Sequence, residues 1–395
     1  MHNPHLHFHV SALFPRRVSK SLKELFGSVA ILGFAMSAAT LFEPIFLWNL
    51  GYSLREIVFF YGIVYVLYFV LLPLGGKFTA HFGYERSLLL GSLLLIVYYL
   101  LVFGIGSFPA LFFVAPIILA LQKIFYWVGF HTDFALASTG SEQGREIGEA
   151  NLVVTIVSIV GPIVGGVIIA RSGFSALFLI VAVLVLLSNI PLFRAPDRLP
   201  KGMFRYGDAF RLLAARSERR RFATYMGFGE EHVMLVIWPI FLFVMLGGVL
   251  GVGVIVTIAA FFASLSLLYI GKILDLSGAK RMHRWGVIGL VLTWLLRLGA
   301  KSNWQLFAVD AGYRLATGAT QFPILMDRYE SAREQHVVGS VVFFEQVLAL
   351  SKVLLTFVLL VALPFLGPSP WQSIFFLAAL MSVLYGFLPQ QARAK

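Results

Sequence analysis

Three consecutive ionisable residues, Glu230-Glu231-His232, stand inside an otherwise apolar stretch. Gln122-Lys123, Asp310 with Arg314, and Glu345-Gln346 sit in three similar stretches, and Glu43 directly precedes Pro44 in another. Charge is costly in hydrocarbon, so such residues point to proton binding, recognition of a charged solute, or fixed ion pairs. Successive helical residues project about 100° apart, so Glu230 and Glu231 cannot both face one cavity squarely. One of them is expected to be a proton-binding carboxylate, with Lys123 or Arg314 neutralising it or holding an anionic solute. Asp310 lies four residues before Arg314 on the same helix face, the spacing of an intrahelical ion pair. Gln122, His232 and Glu345 are candidate partners at similar depth, and Glu43, in the outer half of the first run, is another. Trp127, beside Tyr126, is placed to meet an apolar solute. Arg297 and Lys352 are expected to snorkel towards one membrane face. The Tyr61, Tyr65, Tyr68 stripe reads as helix packing.

Residues of this kind need a lipid-embedded scaffold, and composition supplies one. The 395 residues are 59% hydrophobic, 13% charged and free of cysteine, whereas a soluble protein carries about 25% charged residues. Too little polar surface remains to face water, which excludes a soluble enzyme, a disordered chain and a disulfide-built domain. A helix needs about 20 apolar residues to cross the hydrocarbon. Twelve runs qualify: 24–48, 54–74, 87–106, 108–131, 149–171, 174–193, 222–246, 249–270, 285–300, 304–325, 337–363 and 371–388. Ser21–Glu24 and Ser53–Glu56 have the spacing of capping boxes at helix starts. The first run is longer than a signal-peptide core and is expected to stay as the first span.

The net charge of +12 is distributed rather than patched. Most of the Lys and Arg fall in the segments before the first run, after every second run and in the tail. Arg55, Arg171 and Lys301 are the basic residues of the opposite loops. This asymmetry is the positive-inside rule, and it places both termini in the cytoplasm, with the lipid bilayer as partner and no nucleic acid. Pro44-Ile45-Phe46-Leu47 recurs as Pro239-Ile240-Phe241-Leu242. In the same register Gly76-Lys77 meets Gly271-Lys272, Gly83 meets Gly278, Arg86 meets Arg281, and Gly91 meets Gly286. The organisation expected is a tail 1–23, a six-helix bundle 24–193, a basic linker 194–221, a six-helix bundle 222–388 and a tail 389–395. Within the linker, 204–216 is patterned as an amphipathic helix lying along the headgroups, and Arg216–Arg221 is expected only to anchor that surface.

Two parallel six-helix halves with such a linker resemble the major facilitator superfamily over nearly the whole chain. That family's signature loop, Gly-x-x-x-Asp-Arg-x-Gly-Arg-Lys/Arg, is matched well by Gly271, Asp275, Gly278, Lys280 and Arg281. The first copy is degraded: Gly76, Gly83 and Arg86 remain, but Ala80 replaces the acid and His81 a base. The resemblance implies that these loops gate one end of the molecule. Gly161-Pro162-Ile163-Val164-Gly165-Gly166 is similar to the family's fifth-helix motif, associated with proton-linked drug exporters. In the resembled fold the first, fourth, seventh and tenth helices line the central cavity, which would gather Lys123, Glu230 or Glu231, Asp310 and Arg314.

The resemblance implies an all-α membrane protein of twelve helices in two pseudo-symmetric bundles. Its expected function is secondary transport of a small solute by alternating access, as proton-coupled efflux of amphipathic or drug-like compounds. A proton-coupled importer of an anionic or polar nutrient, and a non-transporting sensor or assembly partner suggested by Ala80, are the alternatives. A monomer in a prokaryotic plasma membrane is expected. No Walker loop, zinc motif or nucleophile elbow occurs, so no enzyme, ATP-driven pump or cofactor is expected. His2, His5, His7 and His9 alternate in a tail without neighbouring carboxylate or thiol, which makes no metal site.

Overall fold

A computed structural model describes residues 20–137, 141–190, 204–277, 279–334, 337–367 and 369–388, with side chains at most of these positions. The histidine tail, the first part of the linker (194–203), Gly278, and the side chains around Gly271 and Asp275 lie outside the described residues. The described chain is helical, with no strand. The helices are α1 (Lys20–Thr40), α2 (Glu43–Asn49), α3 (Leu54–Phe82), α4 (Tyr84–Gly104), α5 (Leu111–Ala137), α6 (Ser141–Ser188), α7 (Tyr206–Ala214), α8 (Arg219–Met226), α9 (Glu230–His232), α10 (Trp238–Leu246), α11 (Val249–Ser277), α12 (Ala279–Leu296), α13 (Asn303–Glu334), α14 (Val337–Ala362) and α15 (Trp371–Val383).

Eight segments are long and apolar enough to cross a membrane, and Trp371–Phe387 is a shorter apolar one. α6 supplies two spans, because Gly173 turns the chain between them at φ +81, a conformation open to glycine at little cost. α12 and α13 complete twelve spans; α13 carries Asp310, Arg314, Asp327 and Arg328, which lower its apolarity.

Two runs are less regular than a simple periodicity implies. The first breaks between α1 and α2, and Pro44 falls in the opening turn of α2, where its missing N–H leaves nothing unsatisfied. The seventh passes through a 3₁₀ turn at Gly227–Gly229 and a π turn at Val233–Ile237 before Pro239. Proline donates no hydrogen bond and crowds the preceding turn, and a widened turn relieves both problems. The Ser53–Glu56 capping box is present: Ser53 Oγ accepts from the Glu56 N–H at 3.3 Å, and Glu56 Oε2 accepts from the Ser53 N–H at 2.8 Å.

Small residues set the helix spacings. Gly161 and Gly165 back onto Ser37 and Ala38 of α1, and a Cβ on Gly161 would lie 2.5 Å from Ser37 Oγ. Gly91 and Gly286, equivalent in the sequence repeat, each receive the following span: a Cβ would lie 2.7 Å from Tyr126 and from Thr320, respectively. The first six spans meet the last six along α3–α14 and α6–α11. Gly62 backs onto Thr356, and Gly253 onto the Pro162 carbonyl. The Ile163 N–H donates to Thr257 Oγ1 at 3.1 Å.

The linker helix expected over 204–216 is present as α7, but it is set into the bundle rather than laid only along a surface. Phe204 rests on Gly76, the Tyr206 O–H donates to the Val70 carbonyl at 3.0 Å, and Ala209 is buried. Arg221 does more than anchor a surface: its Nε donates to Asp327 at 2.8 Å and its Nη1 to Glu218 at 3.2 Å. In the first signature loop, Gly83 has φ +92 and Gly76 is occupied by Phe204 and Val342.

Candidate functional site

The three ionisable residues of α9 point in three directions, as a 100° step per residue requires. Glu230 turns into the last six spans. It is fully buried and accepts from Trp294 Nε1 at 2.9 Å, Tyr313 O–H at 3.1 Å and Tyr385 O–H at 3.4 Å. Glu231 turns to the junction with the first six spans, where Lys352 Nζ donates to Oε2 at 3.0 Å and Gln321 Nε2 to Oε1 at 2.7 Å. His232 turns towards α3. Its Nε2 shares a hydrogen bond with Thr356 Oγ1 at 3.2 Å, and its ring stands edge-on to Tyr65 at 5.3 Å.

A cavity of about 550 Å³ lies beside Glu231. Ser37 and Thr40 of α1, Pro162 of α6, Met234, Ala260 of α11, and Tyr313 with Arg314 of α13 contribute to its wall. Both flanks of the sequence repeat therefore meet at one hollow, as a shared binding site requires. Glu231 and Arg314 are its charged wall residues, their side chains 21% and 29% exposed. Arg314 Nε donates to Asp310 Oδ2 at 2.8 Å, the ion pair their spacing implies, and Trp238 Nε1 holds Asp310 Oδ1 at 2.9 Å.

Two cations sit elsewhere than expected. Arg297 does not snorkel: it is 1% exposed, its guanidinium 4.0 Å from the Trp238 ring, 4.1 Å from Trp294 and 4.7 Å from Tyr313. A desolvated guanidinium gains about 2 kcal/mol from such a ring face. The same rings carry the donors that hold Glu230 and Asp310, which puts both carboxylates around Arg297. Lys352 is likewise buried, and it pairs with Glu231 instead of reaching a membrane face. The counter-charge expected from Lys123 or Arg314 is thus supplied to Glu231 by Lys352. Lys123 Nζ lies 6.0 Å from the centre of the Tyr65 ring, with Lys352 5.1 Å from the same ring.

The other candidates form separate clusters. Glu43 is buried and accepts from Tyr98 at 2.8 Å and Tyr99 at 2.9 Å, within the first six spans. Glu345 accepts from Tyr68 O–H at 2.8 Å and Arg328 Nη2 at 3.3 Å, and His131 Nε2 lies 3.2 Å away. Tyr68 is therefore a ligand of a carboxylate, not only a packing residue, and Arg328 is a buried member of the core rather than a loop charge. Gln122 and Gln346 are buried. Trp127 stacks on His131 with ring centres 5.5 Å apart.

Sequence reasoning missed His131, Arg328 and the ring donors Trp238, Trp294 and Tyr313. A visible signal existed for the rings: Trp294 and Tyr313 fall on spans that also carry Arg297 and Arg314, and buried Trp and Tyr need polar partners. Among the described residues no group of three or more His, Cys, Asp or Glu could hold a metal ion.

Comparison with known proteins bears on the family and the fold. The sequence profile of the Major Facilitator Superfamily matches residues 25–250, more than half of the chain. The crystal structure of the nucleoside transporter NupG superposes with a TM-score of 0.67 at 15% identity, covering 93% of this chain and 98% of that one. A point mutant of the same transporter gives 0.68 at 15% identity, with the same coverage. Likeness at that identity is one of fold. No curated protein sequence matches the chain. The chain belongs to the Major Facilitator Superfamily, and is an integral membrane transporter protein rather than an enzyme.

Proposed function

We propose that the protein is a proton-coupled secondary transporter that exports amphipathic solutes by alternating access, with Glu231 as the coupling carboxylate. The observation that carries this reading is the ion pair of buried Lys352 with Glu231, whose side chain lines a cavity shared by both sets of six spans. Protonating Glu231 removes the counter-charge of a buried lysine. An ion left unpaired at low dielectric costs about 3–5 kcal/mol, so the pair favours one arrangement when intact and another when broken. A proton then shifts the balance between states by its unequal affinity for them. Glu230, held by three ring donors and set around Arg297, is a positioning residue that fixes the seventh span.

Export is favoured by the Gly161–Gly166 motif, which resembles that of proton-linked exporters and is seated against α1 and α11. Import of an anionic nutrient is the second reading, favoured by Arg314 on the cavity wall. The basic loop ends are proposed to be cytoplasmic, in a prokaryotic plasma membrane, and the working unit a monomer. Proteoliposomes carrying an internal pH dye test the coupling. Under an imposed gradient, a panel of amphipathic compounds should evoke counter-movement of protons in the wild type and none in Glu231→Gln. Equal proton movement in both would remove Glu231 from the mechanism, and co-directional movement would make the protein an importer. A solute moved in either direction rules out the sensor reading.

A further inference from the structure

The hydrogen-bond balance of the cavity wall specifies the charge of its occupant. Both oxygens of Glu231 are already engaged, by Gln321 and Lys352. Both oxygens of Asp310 are engaged too, by Trp238 and Arg314. The Tyr313 hydroxyl is engaged as a donor to Glu230. Arg314 differs: only its Nε is used, while the side chain remains 29% exposed and lines the cavity. Its two terminal nitrogens are therefore offered to the hollow as a planar fork, the geometry that takes a carboxylate through two parallel hydrogen bonds. The wall thus offers the open fork of Arg314, while each oxygen of Glu231 already accepts from a protein donor. Leu41, Met234, Leu235, Pro239 and Val256 supply apolar surface around it.

We infer that the transported solute is an amphipathic organic carboxylate, its carboxylate held by the terminal nitrogens of Arg314 and its apolar body laid against Met234, Leu235 and Val256. This inference rests on the transporter reading given above and specifies its substrate class. An amine would meet the guanidinium of Arg314 and share the Glu231 oxygens with Gln321 and Lys352, so the wall favours an anion over a cation. A volume of about 550 Å³ lies within the range of small-molecule sites.

The test uses the full-length protein in detergent and three matched probes: 4-phenylbutyrate, its amide 4-phenylbutyramide, and 4-phenylbutylamine. Binding is read by thermal shift and by isothermal titration. The acid alone should stabilise the wild type. Arg314→Gln alone would strand buried Asp310, so the paired variant Asp310→Asn/Arg314→Gln, which keeps the charge balance, is measured beside it. That double variant should bind the acid about 30-fold more weakly, the loss expected for a charged hydrogen bond.

Failure of the acid to bind the wild type would overturn the inference. So would equal binding of the amide or amine, or undiminished binding to the double variant. Each of those leaves the transporter reading standing, because pH-gradient-driven flux of other compounds is measured independently in vesicles. Binding of the acid as expected, with no gradient-driven movement of any compound, would instead retain the site and remove the transport reading.

Discussion

Glu230 and Glu231 are adjacent in sequence and opposite in circumstance. Glu230 has three ring donors, a buried guanidinium across the same rings and no exposure. Glu231 has one lysine, one amide and a share of the cavity wall. Glu230→Gln should therefore act on stability: it removes counter-charge from Arg297 and faces ring donors with an amide, costing about 3–5 kcal/mol. The double variant Glu231→Gln/Lys352→Met, which removes both charges of the other pair and strands neither, should cost much less. Thermal unfolding of the two variants in one detergent measures the difference, and equal loss would contradict the separate roles. The residue types at these positions were legible in the sequence, because charge inside an apolar run is visible in one dimension. Their directions were not. Arg297 and Lys352 sit at depths that permit snorkelling, and only the packing of α10, α13 and α14 around them shows that they face inward.

At the scale of elements, length and apolarity identified the spans, and glycine and proline located several irregularities. Gly173 separates two spans within α6, and Pro239 accompanies the widened turn that follows Glu230–His232. The place of each glycine in packing was less visible, since a notch needs to be seen with what fills it. Gly165 is such a notch: a Cβ there would collide with the Ala38 carbonyl and meet Phe42 at 2.9 Å. Gly165→Val should push α1 away from α6 and cost about 1–3 kcal/mol, the range for overpacking. Gly207→Val, where a Cβ meets nothing within 4 Å, serves as the control. Detergent-solubilised melting temperatures compare the two, and similar melting would show that the α1–α6 contact is loose. The linker was legible as an amphipathic helix but not as a strap. Phe204 on Gly76 and Tyr206 on the Val70 carbonyl depend on a tertiary neighbour that no local pattern reveals.

For the whole molecule, the repeat of Pro44–Leu47 at Pro239–Leu242 already implied two halves, and the matched notches at Gly91 and Gly286 give that repeat a structural counterpart. What joins the halves was hidden, because the α3–α14 and α6–α11 contacts bring together residues far apart in the chain. Those contacts include Gly62 on Thr356 and Gly253 on Pro162, and the cavity with Glu231 and Arg314 lies between the same groups of spans. Alternating access requires this hollow to open to each side of the membrane in turn. The chain has no native cysteine, so a single cysteine can report the opening without background. Ala260→Cys places a small thiol on the cavity wall. Membrane-impermeant maleimide, applied from either side of sealed vesicles of defined orientation, measures its accessibility. The account predicts labelling from both sides, with the balance between them shifted by pH in the wild type and fixed in Glu231→Gln. Labelling from one side only, at every pH, would contradict it.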